Sequence, residues 1–130
     1  MTAAHPALRQ SSALPDIVHE FNRIAVAERS NKLDSWLLKV LHTTRALDTS
    51  LSEVLAHKGW SAKTPSLGFY IAVLATHKVL TTKQRDDFQK AIVNKRNRYM
   101  HRAGAMPNKM DANSILNEMH TCLSIVLSNT

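Results

Sequence analysis

Between Arg96 and His101 the chain reads RNRYMH, an arginine and a histidine five positions apart with Asn97 directly after the arginine. Arginine grips a phosphate through a forked, permanently charged group, and histidine exchanges a proton near neutral pH. Together they suit the handling of a phosphodiester without a metal. The block also lies in the most basic stretch of the protein. From Lys83 to Lys109, eight Lys or Arg residues stand against two acids, Asp86 and Asp87, so six of the chain's formal net +7 fall there.

Cleaving RNA through its own 2′-hydroxyl needs a base for that proton, cations for the phosphorane and an acid for the departing 5′-oxygen. One histidine cannot hold both protonation states at once, whereas two copies of His101 across a dimer axis divide the roles. Arg96 would then hold the phosphate, and Asn97 would orient His101 or bind the sugar-phosphate. Lys95, Arg98 and Arg102 suit tracking of the backbone rather than chemistry. Tyr99 either stacks on a base or packs in the core, the commoner fate of an aromatic within a helix. Pure backbone binding needs charge but no titrating group. His101 beside Arg96 therefore favours cleavage over the alternative, a non-catalytic module that binds nucleic acid or a protein partner through the same basic face.

Other chemistries find little footing. His5, His19, His42, His57, His77 and His120 follow no ligand spacing, and one cysteine excludes a thiolate zinc site, so neither metal nor other cofactor is expected. Asp86 and Asp87 follow a helix start and suit the helix dipole. Ser11, Ser12 and Ser66 have no paired base, and no glycine-rich phosphate loop exists. Cys122 falls at an apolar helical position and reads as a reduced core residue, as in a cytoplasmic protein. Met100, Met106, Met110 and Met119 read as gap fillers or loop residues.

The elements that must position the motif are helices. A chain of 130 residues that is 44% hydrophobic supports one core, and 3 Gly with 4 Pro leave too few turns for an all-β fold. Residues 1–12 read as a flexible N-terminus without a signal peptide, and no apolar run is long enough for a membrane span. Pro15 opens a first helix through Ile17, Val18, Phe21, Ile24 and Ala25. The clearest stripe runs from Leu33 through Trp36, Leu37, Val40, Leu41, Thr44, Leu47, Leu51 and Val54 to Leu55 and stops at Lys58-Gly59. After a connector over 60–65, Ser66 caps an apolar helix over 67–80. Thr81 with Gln84 matches a capping box that opens the motif helix, which Gly104, Pro107 and Asn108 break. Asp111 caps a last helix with Ile115, Leu116, Met119, Cys122, Leu123, Val126 and Leu127 on one face. The sum is an all-α antiparallel bundle of four to five helices.

With R-x-x-x-x-H on its fourth helix, a polar residue after the arginine, a long second helix and a short third helix entered by Ser66-Leu67-Gly68, the chain resembles the HEPN superfamily over residues 13–130. That resemblance implies a metal-independent endoribonuclease acting as a homodimer. Arg96, His101 and the companion Asn97 of both protomers would line one cleft. It also implies a place in a toxin–antitoxin or phage-defence system, with RNA as substrate and an antitoxin or regulatory protein as further partner. Some members keep the bundle only as a scaffold. The tyrosine that certain relatives carry shortly after the histidine has no counterpart here, where Arg102, Ala103 and Gly104 follow.

Overall fold

The computed structural model describes residues 14–28, 33–101 and 106–130, and for 22–28 and 33–34 the backbone alone. The described residues are helical, without a strand. In chain order they form α1 (Leu14–Glu28), α2 (Leu33–Lys58), α3 (Leu67–Thr76), α4 (Thr82–Phe88), a π-helical segment (Gln89–Asn94), α5 (Lys95–His101) and α6 (Lys109–Ser128). Because α4, the π segment and α5 run on without a break, the architecture is a five-helix bundle. The expected all-α class is what the chain adopts.

Helix α2 is the spine. Its 26 residues span roughly 40 Å and pack against α1, α3, α5 and α6. Trp36, Val40, Leu47, Leu51, Val54 and Leu55 are buried along it, as the 3–4 spacing requires, while Leu37 and Leu41 of the same stripe are half-buried. Thr43, Thr44 and Ser50 are buried on the same helix, and each returns its hydroxyl to the carbonyl four residues earlier, at Lys39, Val40 and Ala46. Those bonds satisfy hydroxyls that burial would otherwise leave bare. The opposing wall is α6, with Ile115, Met119, Cys122, Leu123 and Val126 buried. Cys122 is a free thiol, pushed up to about 12 by burial, with Glu118 adding to the shift. Its thiolate is thus suppressed, in keeping with a packing role.

Helix ends follow local chemistry, with three differences from the sequence reading. At Gly59, φ is +73°, and bonds from Gly59 N to Ala56 O and Trp60 N to Leu55 O close α2 in a Schellman turn. Helix α3 stops at Thr76 rather than reaching Leu80, because Lys78 adopts φ +61° and repeats that turn. Lys78 N bonds to Ala75 O and Val79 N to Leu74 O, and Val79 and Leu80 are buried beyond the turn. Apolar character outlasted helicity, so periodicity could not mark the end. Ser66 occupies the first cap position of α3 but makes no side-chain capping bond. At α6 the cap is Asn108, whose Oδ1 accepts from Asp111 N, rather than Asp111 itself. The Thr81–Gln84 capping box forms in both directions.

Candidate functional site

The π segment decides how the basic motif is presented. Twelve residues of uninterrupted α-helix would set Arg85 and Asn97 about 120° apart, and one extra residue absorbed in a π turn reduces that to about 20°. Arg85, Gln89, Val93 and Asn97 accordingly line one groove, with Arg96 beside them. Gln89 Nε2 donates to Asn94 Oδ1 at 3.0 Å, five residues on, the spacing at which a π turn stacks side chains. Nothing in the apolar pattern marks this insertion, since Phe88, Ile92 and Val93 are buried across it.

The groove has a volume of about 360 Å³, and its other wall is the start of α3: Ser66, Leu67, Gly68, Phe69 and Ala72. Gly68 permits the close approach, because a Cβ there would meet Gln89 Oε1 at 3.3 Å. Among the described residues no acidic side chain lines this space, while two arginines do. Arg96 donates a hydrogen bond from Nη1 to Asn97 Oδ1 at 3.0 Å. That bond orients the guanidinium and leaves its remaining donors for a ligand.

Arg96 also lines a second, smaller recess of about 160 Å³, shared with Leu41, Thr44, Arg45, Asp48 and Met100. Asp48 comes from α2, and its Oδ1 is buried without a hydrogen-bond partner among the described residues. Burial raises the Asp48 carboxyl above its ordinary range, and the Arg96 charge opposes that shift without cancelling it. Sequence reasoning passed over Asp48, which lies 48 residues from Arg96 inside an apolar stripe. A carboxylate on the buried side of the spine helix was the available signal.

The remaining motif residues are spread around the helix. His101 is exposed at the end of α5 and lies on neither recess that Arg96 lines. Helix α5 is regular from Lys95 to His101, so Arg96 and His101 project about 140° apart. The departure from α geometry, in the π segment, lies before Arg96 and not between Arg96 and His101. Asn97 and His101 do share a side of α5, about 6 Å apart along the axis. Arg98 is exposed and Lys95 half-buried, while Arg102 and Gly104 fall outside the described residues. Tyr99 packs against the core, and burial, followed by the nearby Asp111 carboxylate of α6, raises its phenol. This side chain ties the motif helix to α6.

A second polar cluster, between α1 and α2, was also not foreseen. His42 Nδ1 lies 2.5 Å from Glu20 Oε2, both residues are buried, and Arg45 Nη1 approaches Glu20 Oε1 at 3.4 Å. Twenty-two positions separate Glu20 from His42, so only the helix packing pairs them. No group of three metal-ligating side chains occurs among the described residues, and no described helix is long and apolar enough to cross a membrane. No family model, curated protein or solved structure matches this chain.

Proposed function

We propose that the chain is a metal-independent endoribonuclease of HEPN type, active as a homodimer whose two protomers contribute Arg96, Asn97 and His101 to one site. The observation that carries the reading is the groove in which Arg96 is bonded to Asn97 beside Arg85, with no acid on its walls among the described residues. Such a surface attracts a phosphodiester and repels few anions. The exposed His101, turned away from the cleft of its own chain, suits a role shared between protomers.

In this reading one His101 takes the proton of the ribose 2′-hydroxyl as its oxygen attacks phosphorus. The P–O5′ bond breaks, and the His101 of the other protomer gives its proton to the leaving 5′-oxygen. The products are a 2′,3′-cyclic phosphate and a 5′-hydroxyl end. Arg96 stabilises the charge that builds on the phosphorane, in the manner of other preorganised cationic donors. A toxin or phage-defence effector restrained by an antitoxin or regulatory protein is the setting that such an activity implies.

The test is cleavage of a labelled single-stranded RNA in the presence of a chelator. Arg96→Ala and His101→Ala should each lower the rate by roughly 10²–10⁴-fold, as expected for loss of a catalytic group, with unchanged circular dichroism. Full activity in either variant would remove that residue from the mechanism.

A further inference from the structure

The groove between α3 and the motif helix holds more than the motif. Phe69 is 42% exposed on its rim, an aromatic face left open beside two guanidinium groups. Exposed aromatics next to cations are how sequence-tolerant sites hold unpaired bases: the ring stacks on the base and the charges hold the phosphate. A volume of about 360 Å³ stands near the lower end of small-molecule sites and accommodates one nucleotide unit. Arg85 reaches this space only because the π turn aligns it with Asn97. Leu67, Ala72 and Val93 supply an apolar floor that suits a base better than a bare phosphate.

We propose that this groove is a one-nucleotide subsite for an unpaired RNA residue, with its phosphate between Arg85 and Arg96 and its base against Phe69. The proposal rests on the ribonuclease reading and narrows the substrate to single-stranded RNA, since a paired base cannot reach Phe69 without leaving its helix. Arg96 would then join the subsite to the scissile phosphate.

The experiment is fluorescence anisotropy with a fluorescein-labelled 2′-O-methyl hexauridylate, which binds but cannot be cleaved through a 2′-hydroxyl. Phe69→Ala should weaken binding about tenfold, Arg85→Ala by a similar factor, and Lys58→Ala, at the exposed end of α2, by less than about twofold. A base-free ribose-phosphate hexamer should bind the wild type as weakly as the uridine hexamer binds Phe69→Ala, with no further loss in that variant. A blunt RNA duplex should be indifferent to Phe69→Ala.

Wild-type affinity in Phe69→Ala or Arg85→Ala, or equal loss of duplex and single-strand binding, would overturn the subsite. So would a phosphoserine peptide that binds more tightly than the RNA with the same need for Arg85. The cleavage reading is judged separately. If His101→Ala still cleaves while Phe69→Ala binds poorly, the cleavage mechanism falls and the subsite stands; the reverse pattern removes the subsite alone.

Discussion

Asp48 on α2 and Arg96 on α5 share one recess, and the carboxyl oxygen Oδ1 of Asp48 is buried there without a hydrogen-bond partner among the described residues. Desolvation outweighs the attraction of the arginine, so the carboxyl sits above its ordinary range. A carboxyl raised in the folded state favours folding at acid pH, below its unfolded value, and loses that contribution as pH rises through the folded value. Asp48→Asn should therefore raise Tm by a few degrees at neutral pH. The advantage should vanish as pH falls below about 4. Thermal melts from pH 3 to 8 check this, and an advantage that grows toward acid would contradict it.

Lys78 holds a left-handed conformation that costs an L-residue about 1–2 kcal/mol. Lys78→Gly removes that cost while keeping the turn that ends α3, offset in part by glycine's freedom in the unfolded chain. The expected gain is about 1 kcal/mol in urea unfolding, with RNA cleavage unchanged. A loss of stability would show that the Lys78 side chain makes contacts worth more than the strain.

Breaking the buried Glu20–His42 pair should be expensive. His42→Ala leaves Glu20, buried between α1 and α2, with Arg45 at 3.4 Å as its remaining partner, at a cost of about 1–3 kcal/mol. Replacing both partners with leucine should cost less than either single change, because no charge is then left buried. Equal or greater loss in the double variant would mean that packing, not polarity, holds α1 on the spine.

Lys95 and Arg98 are expected to track RNA phosphates. Affinity for a single strand should fall by roughly 0.7 log units per log unit of salt for each contact, and Lys95→Ala or Arg98→Ala should flatten that slope by about one contact. Sequence preference should stay the same. A slope unchanged in both variants would place the backbone contacts elsewhere.

Much of the fold was legible because its signals are local. The α2 stripe, the Gly59 stop and the Thr81–Gln84 box each depend on residues within a few positions of one another. The end of α3 was not legible: Val79 and Leu80 are as apolar as a helix interior, and Lys78 is an ordinary residue in an unusual conformation. The π turn was hidden for a related reason, since an inserted residue among buried Phe88, Ile92 and Val93 leaves the apolar pattern intact. At the site, RNRYMH named Arg96 and Asn97, which the structure joins, but not Asp48, Arg85 or Phe69. Those neighbours come from packing α2 and α3 onto the motif helix and from a shift of register that no short motif records.

The most direct test of a site shared by two protomers is subunit mixing under single-turnover conditions, with chelator present and a labelled single-stranded RNA as substrate. Wild-type chains are exchanged with an inactive chain carrying Arg96→Ala and His101→Ala. Each mixed dimer keeps one arginine and one histidine, too few for both proton transfers, so activity should fall toward the square of the wild-type fraction. A strictly linear fall, an active monomer by light scattering, or no cleavage by the wild type would contradict the account.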